Sequence, residues 1–179
     1  MTDRVHPAVV LIGPPAAGKT RIGKRIARTL ETEFVDTDRM IVDRHGPIPE
    51  IFEHEGEPTF RAYERDAVAD ALTLDGAVVA LGGGAVMTPE TAERLAGLPV
   101  ALLTITEEAA EARLTRSGSS RPLVAGGVAQ WAALVERRMP TYRMLARATW
   151  DTSRRPADTI AIEIADWVRL GAPERKDAS

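Results

Sequence analysis

The chain has 179 residues, of which 44% are hydrophobic and 27% are charged. This length suits one globular domain with a hydrophobic core and is too short for two full domains. No apolar run approaches the ~20 residues of a membrane-spanning helix, and the net charge of −3 lacks the basic excess typical of nucleic-acid binders. The absence of cysteine excludes disulfides and cysteine metal sites, and it fits a reducing, cytoplasmic location.

Short continuous apolar runs predict the strands of a parallel sheet, because such runs are typical of strands buried on both faces. In chain order the predicted strands are Ala8–Ile12, Phe34–Val35, Ala77–Leu81, Val100–Ile105 and Ala148–Asp151. Helical patterns follow Thr20 and cover Pro58–Leu72, Thr88–Gly97, Thr106–Thr115, Val128–Ala148 and Thr159–Leu170. Strands that alternate with helices predict one α/β domain over residues 1–171, followed by a disordered tail at residues 172–179.

A Gly/Ser-rich segment, Ser117–Gly127, lies between two of the predicted helices. Loops of this kind are often lids over an active site, and we predict a lid at residues 114–127. An arginine on such a loop, Arg121, can reach a transferring phosphoryl group. The alternatives are a plain surface connection and a solvated arginine.

Residues 13–20, GPPAAGKT, match the phosphate-binding pattern G-x-x-x-x-G-K-[ST]. Such a loop wraps a polyphosphate with backbone N–H groups, while Lys19 reaches the β- and γ-phosphates and Thr20 offers its hydroxyl to Mg²⁺. An apolar strand precedes the loop and an amphipathic helix follows it, which favours a true site over a chance match. The loop leaves the second substrate open, since GTPases, motor ATPases and kinases all use it.

Two aspartates, Asp36 and Asp38, end the second predicted strand. Alternate positions point the same way, here toward the nucleotide site. One of these carboxylates can hold Mg²⁺ and the other can accept a hydrogen bond from an attacking hydroxyl. A helix N-cap is an equally good explanation for a lone aspartate at this place.

Arginines and glycines further along the chain predict an anionic acceptor. Arg61 and Glu64 are i, i+3 neighbours, so Glu64 can fix the guanidinium, although exposed ion pairs share this spacing. Gly82–Gly84 follows the third strand and would let a ligand touch backbone N–H groups; a flexible turn is the alternative. Arg138 lies on the apolar stripe of the long helix, where a charge needs an anionic partner unless it reaches the surface, and Pro140 disturbs the helix nearby.

In the order and spacing of these motifs, the chain resembles the shikimate kinases over nearly its whole length. The motifs are G-x-x-x-x-G-K-T at 13–20, D-T-D at 36–38, E-G-E-x-x-F-R-x-x-E at 55–64, G-G-G at 82–84, R-P-L at 121–123 and R-x-P-x-Y at 138–142. The resemblance implies a three-layer P-loop fold of nucleoside-monophosphate-kinase type, with five parallel strands in the order 2-3-1-4-5. It also implies ATP-dependent phosphorylation of shikimate to shikimate 3-phosphate, on the pathway to chorismate and the aromatic amino acids.

The resemblance also implies roles for single residues. Asp38 would bind the acceptor hydroxyl, Arg61 and Arg138 would hold the shikimate carboxylate, and Arg121 would close on the phosphates. Residues 38–66 would form a substrate-binding subdomain. The predicted catalytic residues are Lys19, Asp38 and Arg121, the other substrate contacts are Gly82, Gly83 and Gly84, and the Mg²⁺ residues are Thr20 and Asp36. The predicted nucleotide contacts are Gly13, Ala16, Ala17, Gly18, Lys19, Thr20, Arg21, Arg121, Arg155 and Pro156.

Ala16 stands where this family often has glycine, and its methyl group would perturb the loop if the position needs a positive φ. Two alternatives stay open: a kinase for another polyol acid such as gluconate, or a nucleotide-binding relative that has lost catalysis. We expect a monomer that acts on a small molecule and binds neither nucleic acid nor membrane.

Overall fold

The computed structural model describes residues 6–117 and 127–174, and these residues form a five-stranded sheet. The strands are β1 (Val9–Ile12), β2 (Phe34–Asp36), β3 (Val78–Ala80), β4 (Val100–Thr104) and β5 (Ala148–Asp151). They lie in the order β2-β3-β1-β4-β5, and every neighbouring pair is parallel. The predicted order is confirmed, and each apolar run in the sequence corresponds to one strand.

Helices connect the strands and cover both faces of the sheet. The helices are α1 (Lys19–Leu30), α2 (Thr37–His45), α3 (Ile48–His54), α4 (Glu57–Ala71), α5 (Pro89–Leu95), α6 (Glu107–Ser117), α7 (Gly127–Leu145) and α8 (Ala157–Arg169), with a 3₁₀ turn at Ala85–Met87. Sequence analysis missed α2 and α3. Each buries one large apolar side chain, Ile41 or Ile51, so neither carries the apolar stripe that makes a helix visible in a sequence.

Alternate residues of the central strand face two different hydrophobic cores. Val9 and Leu11 pack in the core that α1 and α8 cover, whereas Val10 and Ile12 pack in the core that α4 covers. This three-layer arrangement explains why the strand sequences are apolar throughout. It also places the carboxyl ends of β1, β2 and β3 side by side, and the phosphate loop, the aspartates and the glycine triplet follow these three strands.

Packing extends further toward the C-terminus than the sequence predicted. Ala172 is buried, and Trp167 Nε1 donates to the Pro173 carbonyl oxygen at 2.7 Å. Residues 172 and 173 of the predicted disordered tail therefore pack against α8. Of the predicted lid, residues 114–117 belong to α6 and Gly127 begins α7. Residues 118–126, and with them Arg121, lie outside the described residues, as do residues 175–179. No described helix has an apolar stretch long enough to span a bilayer.

Candidate active site

The loop between β1 and α1 has the backbone geometry of a phosphate cradle. Gly13 has a φ of 140°, and a Cβ at this position would lie 2.2 Å from the Leu103 carbonyl oxygen, so only glycine fits. Gly18 has a φ of 88° and precedes the first turn of α1. Ala16 has a φ of 70°, so this position does take the left-handed conformation, at a cost of about 1–2 kcal/mol for a residue with a Cβ.

Three side chains donate hydrogen bonds to backbone carbonyl groups of this loop. When a loop turns its N–H groups toward an anion, its carbonyl groups face the protein and need donors there. The contacts are Trp131 Nε1 to Pro15 (3.0 Å), Arg113 Nη1 to Ala16 (2.9 Å) and Thr152 Oγ1 to Ala17 (3.0 Å). These donors come from α7, α6 and the end of β5, so three elements fix the strained part of the loop.

Lys19 and Thr20 lie at the start of α1 with their polar atoms at the loop. Lys19 Nζ donates to the carbonyl oxygens of Gly13 and Pro14 at 2.7 and 3.0 Å. Thr20 Oγ1 donates to Asp36 Oδ2 at 2.6 Å. This adjacent hydroxyl and carboxylate fit Mg²⁺, which takes one or two protein oxygens together with phosphate oxygens.

Asp36 has a second role that sequence analysis left open. Its Oδ1 accepts hydrogen bonds from the backbone N–H groups of Asp38 and Arg39 at 3.1 and 3.3 Å, so Asp36 is the N-cap of α2. The cap therefore falls on Asp36 and not on Asp38. The Asp36 carboxylate thus orients the helix that carries Asp38 through Oδ1 and contacts Thr20 through Oδ2.

A small cleft of about 100 Å³ opens beside the phosphate loop. Its lining includes three of the predicted nucleotide contacts, Gly18, Arg21 and Arg155, and also Arg113, which sequence analysis did not single out. Pro156 does not line the cleft and is instead the N-cap of α8. Burial lowers the pKa of Arg113, and the nearby charge of Arg21 lowers it further.

On the other side of the phosphate loop, two guanidinium groups converge over the glycine triplet. A Cβ on Gly84 would lie 2.7 Å from Arg61 Nη1 and 3.3 Å from Arg138 Nη2. Glu64 is 2% exposed, and its Oε2 accepts from Arg61 Nη1 at 2.6 Å. The predicted fixation of Arg61 is confirmed, and the pair is not the exposed ion pair that the same spacing often gives.

Arg138 is 7% exposed and faces the site in spite of Pro140. Within the described part of the chain, its Nη1 is buried and has no hydrogen-bond partner. A buried charge without its hydrogen bonds is costly, and a carboxylate would supply two oxygens to such a planar donor. Within the described residues, Arg138 Nη1 therefore lacks an acceptor, and an anion bound beside Arg61 and Arg138 could supply one.

The glycine triplet gives room to side chains, which is a different reason from the one expected. A Cβ on Gly82 would lie 2.4 Å from Asp38 Oδ1 and 3.2 Å from Glu64 Oε1. The Gly82 N–H donates to Thr37 Oγ1 at 3.1 Å, so it does not face a ligand. Burial raises the pKa of the Glu64 carboxyl; the charge of Arg61 opposes this rise, and that of Asp38 adds to it.

The triplet also joins the two halves of the site. A Cβ on Gly83 would lie 3.3 Å from Pro15 Cδ in the phosphate loop and 3.5 Å from Arg138 Nη1. The Gly83 carbonyl oxygen accepts from Tyr142 Oη at 2.6 Å. Tyr142 belongs to the R-x-P-x-Y motif at 138–142, whereas Arg113 and Trp131 carry no sequence pattern that could have revealed their contacts with the phosphate loop.

Comparisons with known proteins agree with this geometry. A family profile described as shikimate kinase matches residues 15–169. The chain is 47% identical over 145 residues to a shikimate kinase of Rhodococcus erythropolis, covering 79% of this chain and 85% of that protein. It is 44% identical over 161 residues to one of Salinispora tropica, covering 89% and 96%.

The fold is similar to that of shikimate kinase from Acinetobacter baumannii in complex with shikimate, with a TM-score of 0.86, 32% identity, and coverage of 93% of this chain and 94% of that chain. A gluconokinase from Sinorhizobium meliloti gives a TM-score of 0.61 at 20% identity, which indicates the shared fold alone. Since the profile match and both sequence relatives span most of the chain, the protein belongs to the shikimate kinase family.

Proposed function

We propose that this protein transfers the γ-phosphoryl group of ATP to the 3-hydroxyl group of shikimate, giving ADP and shikimate 3-phosphate. One observation carries the proposal: Arg61 and Arg138 converge beside a phosphate loop, and Arg138 Nη1 is buried without a partner in the described residues. A small carboxylate-bearing acceptor would satisfy that atom. Membership of the family supports shikimate as this acceptor.

The acceptor would be held by its carboxylate. Arg138 and Arg61 would donate to the two carboxylate oxygens, and Glu64 keeps Arg61 in place from below. Because Glu64 is almost fully buried, water competes little for its carboxylate, although the Arg61 side chain itself is partly exposed. The carboxylate thus fixes the ring of the acceptor relative to the phosphate loop.

Asp38 would orient the hydroxyl group that attacks. It follows the N-cap of α2 and lies against Gly82, so the helix and the absent side chain together set its position. A carboxylate at this place can accept a hydrogen bond from the hydroxyl and take its proton as the phosphoryl group transfers. Catalysis then depends mainly on position and electrostatics.

The donor side would hold ATP with the N–H groups of the phosphate loop and with Lys19. Mg²⁺, when bound, neutralises charge on the β- and γ-phosphates. Thr20 and Asp36 would hold this ion, since their oxygens already lie 2.6 Å apart. Arg121 lies outside the described residues, and its contact with the phosphates stays a prediction.

An acceptor comparison tests the proposal. Purified protein with Mg-ATP should release ADP in a coupled assay when shikimate is added and not when gluconate is added. Arg61→Ala should raise the apparent KM for shikimate much more than the KM for ATP, because the carboxylate contact is lost. ADP release that is unchanged by shikimate, or ATP binding without turnover, would contradict the proposal.

We further infer that the enzyme works as a monomer in the cytoplasm and binds neither nucleic acid nor membrane. Each side chain proposed here for the acceptor and the phosphates comes from one chain. The net charge of −3 and the absence of cysteine fit a small-molecule enzyme of a reducing compartment. Light scattering of the purified protein would test the monomer.

A further inference from the structure

Helix α7 contacts both halves of the site through one face. Its buried residues are Trp131, Arg138 and Tyr142. The spacings of seven and four residues place all three on the same side of a helix. Trp131 packs in one hydrophobic core and Tyr142 in the other, so this face lies across the end of the sheet.

The two aromatic residues of this face end in hydrogen bonds to the two substrate-binding loops. Trp131 is 2% exposed, and its Nε1 donates to Pro15 in the phosphate loop at 3.0 Å. Tyr142 is fully buried, and its Oη donates to Gly83 in the glycine triplet at 2.6 Å. Each of these hydrogen bonds satisfies a backbone carbonyl group. Removal of the aromatic donor would take this hydrogen bond away from the carbonyl group.

Arg138 lies between these two anchors. Its guanidinium group and the Tyr142 hydroxyl both lie at Gly83, because Tyr142 Oη donates to the Gly83 carbonyl oxygen and a Cβ on Gly83 would lie 3.5 Å from Arg138 Nη1. Burial raises the pKa of the Tyr142 hydroxyl, and the charge of Arg138 and a hydrogen bond from it oppose this rise. Gly83 is close to both Arg138 and Pro15. The phosphate loop, the glycine triplet and the acceptor arginine are therefore tied to one another through a single helix face.

We propose that Trp131 and Tyr142 are positioning residues that couple the phosphate loop to the acceptor site through α7. The proposal rests on the function proposed above and adds a consequence that direct contacts do not give. A change at the nucleotide end of α7 alters acceptor binding, and a change at the acceptor end alters nucleotide binding. The reason is that both anchors hold the same helix, which carries Arg138.

The test uses Trp131→Phe, Tyr142→Phe and the double variant, with KM for both substrates, kcat and Tm measured for each. Trp167→Phe is the matched control, because Trp167 is fully buried on α8 and also donates its Nε1 to a carbonyl oxygen at 2.7 Å, but that oxygen belongs to Pro173, which follows α8 near the C-terminus. We expect Trp131→Phe to raise the KM for shikimate about fivefold or more, although its lost bond is to the phosphate loop. Tyr142→Phe should likewise raise the KM for ATP.

The double variant gives the sharper result. If both anchors act through one helix, the second substitution lowers kcat/KM little further than the first. The fold loss of kcat/KM in the double variant is then well below the product of the two single fold losses. Trp167→Phe combined with Tyr142→Phe should instead give the product. The coupling is refuted if Trp131→Phe changes only the KM for ATP, if the losses multiply, or if Trp167→Phe gives the same cross effect.

The two proposals fail in different ways. A wild-type protein that does not phosphorylate shikimate overturns the proposed function and the coupling together. An active wild type whose variants lack the cross effect overturns the coupling alone. Should Trp131→Phe fail to fold, the KM for ATP of Tyr142→Phe decides the matter.

Discussion

Replacing Gly82 by alanine should damage catalysis through one side chain. The added Cβ would lie 2.4 Å from Asp38 Oδ1, whereas an ordinary contact needs about 1 Å more. The backbone conformation of Gly82 is open to alanine, since it is not among the glycines with a positive φ. The methyl group therefore acts by displacing the Asp38 carboxylate, and a shift of about 1 Å in a catalytic group can lower the rate by about 100-fold.

The assay is steady-state ADP release with shikimate varied, together with a thermal melt. We expect kcat of Gly82→Ala to fall by about 100-fold, or about 2.7 kcal/mol in the activation free energy, with a small change in Tm. Gly83→Ala is the control, because its nearest contact would be 3.3 Å, to Pro15 Cδ, and it should stay within about threefold of the wild type. A Gly82→Ala enzyme with a near-normal kcat would refute the placement of Asp38.

Three other predictions concern Asp36, Ala16 and Glu64. Asp36→Asn keeps the capping acceptor of α2 but loses the charge near Thr20. The Mg²⁺ concentration for half-maximal rate should therefore rise about tenfold, while the free energy of unfolding changes by less than about 1 kcal/mol. An unchanged Mg²⁺ dependence would contradict the metal role. Ala16→Gly relieves about 1–2 kcal/mol of backbone strain, whereas the greater freedom of glycine in the unfolded chain destabilises the protein by about 0.4–1 kcal/mol. Tm should therefore rise slightly, and the KM for ATP should not change. A large increase in that KM would show that the Ala16 methyl group contributes to nucleotide binding. The pKa of Glu64 is raised above 4.5 by burial, so its contribution to stability is fully present below pH 4.5 and is lost as pH rises through the raised pKa. In chemical unfolding, the free energy of unfolding of the wild type should fall relative to that of Glu64→Gln as pH increases. A difference between the two proteins that does not depend on pH would exclude this effect.

The fold was largely predictable because its main signals are local. A strand buried on both faces is a short apolar run, and the five runs of this chain all form strands. The two helices between β2 and α4 were missed because they are short and each buries only one large apolar residue, Ile41 or Ile51. Their positions depend on the N-cap at Asp36 and on packing against α4, which no local pattern shows.

The site was predictable where its residues belong to spaced motifs, and not where they act across the fold. Arg113 and Trp131 donate to the phosphate loop from about a hundred residues further along the chain, so only the folded structure places them there. The glycine triplet was recognised for the wrong reason at Gly82, whose N–H bonds to Thr37 while its missing Cβ makes room for Asp38. Sterics of this kind depend on side chains from another helix.

The most direct test of the account is to incubate the protein with Mg-ATP and shikimate and to follow the phosphorus by ³¹P NMR. The account predicts a new phosphomonoester on the 3-hydroxyl group of shikimate, formed in equal amount to ADP. It further predicts that Arg138→Ala nearly abolishes this signal at low shikimate while ATP still binds. ADP formed without any phosphorylated shikimate, or a signal that Arg138→Ala leaves unchanged, would contradict the central claim that the two converging arginines hold the acceptor.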